Sequence, residues 1–99
     1  MPGPLSAPQR LDRWLWYARI LKSRTLAAQL IEGGKVRVNR RRVVKPSHTV
    51  REGDVLTIAL RGQLLVLKIL ATGTRRGPPS EARLLYQHVD NQTLPSTGR

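Results

Sequence analysis

Residues 10–39 read RLDRWLWYARILKSRTLAAQLIEGGKVRVN, and two changes of rhythm within them decide the fold. Leu11, Trp14, Leu15 and Ala18 recur at the i, i+3, i+4, i+7 spacing of one helical face, with Arg10, Arg13 and Arg19 off that stripe. After Ile20-Leu21-Lys22, Ser23 is placed to cap a second helix over 24–32 that would bury Leu26, Ala27, Leu30 and Ile31. Gly33-Gly34 supplies its stop. So short a link forces the two helices to pack against each other. From Lys35 the period drops to two. Val36 and Val38 alternate with Lys35 and Arg37, and Asn39 tolerates the positive φ of a tight turn.

Working outward, Val43 and Val44 resume the apolar pattern until Lys45-Pro46-Ser47 breaks it. A turn at Glu52-Gly53-Asp54 leads into the strand VLTIAL (55–60), and Arg61-Gly62 gives a short hairpin loop into LLVLKILA (64–71). This strand pair is apolar on both faces for part of its length, so the helices and the final segment are expected to cover it. Ser80 can cap a last helix over 80–87, with Leu84 and Leu85 as its buried pair. The expected class is α+β: two N-terminal helices packed on a small, mostly antiparallel sheet, with a C-terminal helix. Residues 1–9, rich in proline, read as a disordered lead-in. Residues 10–90 read as one domain with its core motif over 10–60, and residues 91–99 as a flexible tail. No internal repeat is present.

Composition narrows the function. The 99 residues carry 18 Lys plus Arg against 6 Asp plus Glu, a net charge of +12, which makes a polyanion the expected partner. Residues 1–50 hold eleven of those bases against Asp12 and Glu32, a net of +9, so one basic face built by the first half is expected. No apolar run approaches the roughly 20 residues of a membrane span. MPGPLSAP has neither the basic nor the apolar region of a secretory leader, and zero cysteines fit a reducing cytoplasm. Catalysis finds no footing. His48 and His88 have no acidic or nucleophilic neighbour at helical or strand spacing, and no phosphate-binding glycine loop or nucleophile elbow occurs. No enzyme, cofactor, metal site or small-molecule substrate is therefore expected.

The cations concentrate in two places. Lys22, Ser23 and Arg24 open the second helix, where free backbone N–H groups and the macrodipole already favour an anion and basic side chains are ordinarily disfavoured. Lys35, Arg37, Asn39, Arg40, Arg41 and Arg42 form the first hairpin, whose turn is expected to project the three consecutive arginines together. On the residues alone, a phosphate partner and plain solvation both accommodate these clusters. Trp16 faces away from the helical stripe, suited either to packing near Leu84 or Leu85 or to stacking on a base. Asp12, one acid among arginines, reads as an internal partner for Arg13, Arg19 or a hairpin residue. Arg75 and Arg76 offer a secondary contact.

Several spacings agree at once with a known pattern. Arg10-Leu11-Asp12, Ser23-Arg24, Ile31 through Val36, Val38-Asn39 and Gly53-Asp54-Val55-Leu56 resemble the RNA-binding domain named after the fourth protein of the small ribosomal subunit. The tryptophans of RWLWYAR and the later RRGPPSEARLLYQ (75–87) extend the likeness, over about 80 residues, to the bacterial fifteen-kilodalton heat-shock family. The resemblance implies non-catalytic binding of structured RNA, with large-subunit ribosomal RNA carrying a nascent chain on tRNA as the partner, in rescue or recycling of stalled subunits. It further implies an RNA face formed by Arg10, Arg19, Lys22, Ser23, Arg24, Lys35, Arg37, Asn39, Arg40 and Lys45, which Arg41 joins as a phosphate contact. The sequence departs from the pattern at Arg40, where glycine is frequent, and the longer charged C-terminal extension of the family is not found in these 99 residues. Two other readings fit a domain of this kind: a targeting module of a larger RNA-modifying enzyme such as a pseudouridine synthase, or a basic module for an acidic protein partner.

Overall fold

The apolar stripe of the first helix goes wholly inside. The structure, a computed structural model, describes residues 7–89, and in it α1 (Leu11–Tyr17) turns Leu11, Trp14 and Leu15 into the core at 0% exposure. The indole N–H of Trp14 donates to the carbonyl of Ala71 at 3.0 Å, so the ring is buried with its polar atom satisfied. Gln9, at the end of the expected disordered lead-in, lies instead in a short strand, β1 (Gln9–Arg10), paired with Val50 of β4 (Thr49–Val50). Its carboxamide exchanges two hydrogen bonds with the backbone of Gly73, at 2.7 and 3.0 Å. Residues 1–6 of that lead-in and the whole expected tail, 91–99, lie outside the described residues.

Past α1, Arg19 takes a φ of 61°, and the N–H groups of Ile20 and Leu21 both reach back to the Leu15 carbonyl. This reversal starts α2 (Arg24–Glu32), where the Ser23 hydroxyl accepts the Leu26 N–H at 3.0 Å as an N-cap. Ala27 and Ile31 are fully buried against α1. Leu26, expected inside, is 44% exposed. It lies one position from Ala27, hence about 100° round the helix, and lines an open groove with Leu21, Leu30 and Leu60. Gly34 then takes a φ of +76°, the left-handed step that ends the helix without steric cost.

The main sheet has five antiparallel strands in the order β3-β2-β5-β6-β7. They are β2 (Val36–Val38), β3 (Arg41–Val43), β5 (Val55–Leu60), β6 (Gln63–Ile69) and β7 (Tyr86–His88). Two hairpins close through two-residue loops, Asn39-Arg40 and Arg61-Gly62, with positive φ at every loop residue. Such loops match the right-handed twist of the strands they join. Val36, Val38, Leu56, Ile58, Leu67 and Ile69 face the helices and complete the core. The opposite face carries Arg37, Thr57, Val66 and Lys68. The expected cover is not found there among the described residues, and Leu64 stands 66% exposed.

The final segment differs from its expectation. In place of one helix over 80–87, α3 (Pro79–Ala82) runs for four residues, tightens into a 3₁₀ turn (Arg83–Leu85) and opens into β7. The free edge of β6 decides this: pairing Tyr86 with Ile69 satisfies the backbone there, and Tyr86 meets the Trp14 ring edge-on at 6.3 Å. Leu84 is accordingly 70% exposed, while Leu85 packs on the core. The ring of Trp16 is half-buried under the guanidinium of Arg76, 5.8 Å from the centroid, and lies 5.7 Å from the ring of Tyr17.

Candidate functional site

The centre of the basic region is an acid. Asp12 is 4% exposed, in the first turn of α1, and accepts the Arg13 backbone N–H at 2.7 Å. Its carboxylate takes a forked pair of hydrogen bonds from Arg10, 3.1 Å from Nε and 3.0 Å from Nη2, and a longer contact from Arg24 at 3.5 Å. Burial pushes this carboxyl up. The Arg10 hydrogen bonds and charge, the Arg13 N–H and the Arg24 charge outweigh that and hold it below the ordinary 3.8. Asp12 was expected to hold Arg13, Arg19 or a hairpin residue. It instead fixes the strand before α1 to the start of α2, because two short helices bring residues 10 and 24 together.

The two helix starts differ. At α1, the carbonyls of His48 and Pro46 accept the N–H groups of Leu11 and Asp12 at 2.8 and 3.2 Å, so the loop that follows exposed Lys45 occupies this end. At α2, Ser23 caps one N–H, and Lys22 is exposed beside it. Arg10 and Arg24 keep side chains 45% and 39% exposed while anchored at one end to Asp12. A guanidinium held this way loses little rotational freedom on taking a phosphate with its remaining N–H groups.

The hairpin adds the second cluster. Lys35 and Arg37 are exposed, opposite in parity to buried Val36 and Val38, as the alternation predicts. The three consecutive arginines do not project together. Arg42 pairs across with Arg37 on the outer sheet face, whereas Arg41 pairs with Val38 and shares its side at the sheet edge. Arg42, not among the expected contacts, therefore belongs beside Arg37; counting parity back from Val43, which faces Val36, is the signal that finds it. Its side chain lies over Gly34, where an added Cβ would stand 3.5 Å from the Arg42 Cδ. Arg40 occupies the turn itself at φ 76°. Asn39 is engaged within the fold: its amide donates to Asp54 at 3.0 Å and its carbonyl accepts the Val55 N–H at 3.0 Å. Arg19, exposed, is tied to the C-terminal segment, since its Nε donates to the Gly77 carbonyl at 2.7 Å.

Among the described residues, no group of three or more His, Cys, Asp or Glu could hold a metal ion, and no helix is long and apolar enough to cross a membrane. His48 and His88 are both exposed, the latter with its ring against Tyr86 at 5.6 Å. The arrangement can hold anions; nothing in it sets a nucleophile beside a base.

Comparison with known proteins agrees with this geometry. The S4 domain family model matches residues 9–56, which include both cation clusters. Heat shock protein 15 of Escherichia coli (strain K12) is 45% identical over 80 residues, 81% of this chain and 59% of that protein, so the chain spans less than two thirds of this relative's length. The RQC P-site tRNA stabilizing factor of Halalkalibacterium halodurans is 38% identical over 78 residues, 79% of this chain and 86% of that one. The trimeric structure of Vibrio cholerae heat shock protein 15 superposes with a TM-score of 0.80 at 36% identity, covering 86% of this chain and 85% of that one. By sequence and by fold alike, the chain belongs to the heat shock protein 15 family of S4-domain proteins.

Proposed function

We propose that this chain binds structured RNA without catalysing a reaction on it, in the cytoplasm. The observation that carries the reading is the buried Asp12 carboxylate, which presets Arg10 and Arg24 beside the capped start of α2. A buried acid amid arginines is costly unless it is paired; here it aims two cations. Lys22, Arg24, Arg37, Arg40 and Arg41 take phosphates, with Arg10, Arg19, Lys35 and Lys45 around them and Arg42 added beside Arg37. Ser23 and Asn39 keep the helix start and the hairpin in shape. Helical RNA is read largely through its shape, phosphates and 2′-hydroxyls, so a sequence code is not expected.

The RNA is ribosomal, on the large subunit, with a nascent chain still attached to tRNA, and the role is rescue or recycling of stalled subunits. The names of the relatives support this: two are heat shock proteins and one is a P-site tRNA stabilizing factor. Sedimentation through a ribosome gradient tests it. Co-migration with large subunits that rises when nascent chains are blocked, and is lost on nuclease treatment, is the expected result. Nuclease-resistant recovery with a protein partner would refute it. If about five phosphates are neutralised, log K against log[salt] falls with a slope of roughly −3.5 to −4.5.

A further inference from the structure

Away from Asp12, the connector between α1 and α2 and the C-terminal segment line an open cleft of about 390 Å³. Four cations wall it, Arg19, Lys22, Arg76 and Arg83, together with Tyr86, and no carboxylate does. The nearby acids are committed elsewhere: Glu81 is held by a forked pair from Arg75 at 3.0 and 2.8 Å, and Asp12 by Arg10 and Arg24. No ion pair among the described residues reaches the four cations.

Two of the four are fixed in place. The Nε of Arg19 donates to the Gly77 carbonyl at 2.7 Å, and the Nε of Arg76 donates to the Trp16 carbonyl at 3.1 Å, so each wall is tied to the other. Arg76 also rests on the Trp16 ring. Both guanidiniums engage the backbone through Nε alone, which leaves their Nη groups without a partner among the described residues. Arg19 holds its position from a left-handed backbone, φ 61°, a conformation that a long side chain adopts only where its surroundings enforce it. Like charges gathered and fixed without a counter-ion repel one another, and an oxyanion relieves that repulsion while accepting the idle N–H groups.

We propose that this cleft is a second anion site, which takes one phosphate group of the bound RNA in addition to those held by Arg24 and the hairpin, with Lys22 standing between the two. The proposal rests on the RNA-binding reading for the origin of its ligand, and on the cleft alone for its chemistry. Arg83 is the residue to change, because it is exposed and its side chain makes no hydrogen bond among the described residues, so Arg83→Glu, Arg83→Gln and Arg83→Lys should keep the wild-type thermal midpoint.

Two titrations of the full chain test it. In the first, inorganic phosphate is added at constant ionic strength against chloride while backbone amides are followed by NMR. Shifts that saturate over residues 18–22 and 76–86, and vanish in Arg83→Glu, are expected; linear shifts, or shifts spread over the surface, would overturn the site. In the second, a structured RNA is titrated across salt. Arg83→Glu should weaken binding roughly tenfold and flatten the salt slope by about 0.7–0.9, with Arg83→Lys close to wild type. If wild type binds RNA and Arg24→Ala weakens it, yet Arg83→Glu changes neither affinity nor slope, the cleft does not take RNA and the proposal fails, even if free phosphate saturates. If wild type binds no RNA, the RNA-binding reading fails, and with it the ligand named here, whereas the phosphate titration still judges the cleft.

Discussion

Arg40 sits at the second position of a two-residue hairpin loop with φ 76°, after Asn39 at φ 51°. Both positions require the left-handed region, where an L-residue other than Gly or Asn is strained by roughly 1–2 kcal/mol. Replacing Arg40 by Gly removes that strain but frees the unfolded chain, at a cost of about 0.5–1 kcal/mol. The net gain is between zero and about 1.5 kcal/mol, centred near 0.75, and at about 4–8 °C per kcal/mol for a domain of this size the melting temperature should rise by roughly 3–6 °C at that centre. RNA binding should move the other way. One lost phosphate contact flattens the salt slope by about 0.7–0.9 and weakens affinity at every salt concentration. Arg40→Ala separates the two effects, since it also removes the charge but keeps a Cβ in the left-handed turn. It should bind as poorly as Arg40→Gly and melt several degrees below it. Circular dichroism melts and fluorescence anisotropy across a potassium chloride series measure both quantities. A glycine variant that melts at or below the alanine variant would refute the strain argument. Wild-type affinity in both would remove Arg40 from the RNA face.

Three further outcomes are expected. Asp12→Asn should cost about 1–3 kcal/mol at neutral pH through the loss of charged hydrogen bonds. Because the folded carboxyl is held below 3.8, this stability is complete well above that value and disappears as pH falls through the folded one, so acid melts of wild type should drop more steeply below about pH 4 than those of the variant. Ser23→Ala removes the α2 cap and should lower stability by about 1 kcal/mol, read by chemical denaturation with an unchanged m-value. Arg24→Ala and Arg37→Ala should each weaken RNA binding yet leave the thermal midpoint within a few degrees, because half-exposed and exposed cations contribute at most about 1 kcal/mol to the fold; unfolding of both would show that they are structural.

Much of this protein is local. The stripe through Leu11, Trp14, Leu15 and Ala18, the Ser23 cap over 24–32, the Gly34 stop, the alternation of Lys35 through Val38 and the strand 55–60 all appear where their spacing predicts. Each depends on neighbours within four or five residues and on the 3.6 and 2.0 periods of the backbone. The net +9 of the first half was legible in the same way, as was its concentration at one helix start and one hairpin. What the sequence alone left open was set by contacts between residues far apart. Asp12, already paired with its near neighbour Arg10, also meets Arg24 because two helices close on each other, and Arg42 rather than Arg41 joins Arg37 because the register of β3 assigns its parity. Tyr86 enters a strand because the edge of β6 offers backbone partners that a short helix cannot match. Arg19 is drawn to the Gly77 carbonyl, 58 positions away, and lines a cleft that no pattern in the chain announces. Periodicity fixes which way a side chain faces along its own element; only packing decides what it meets there.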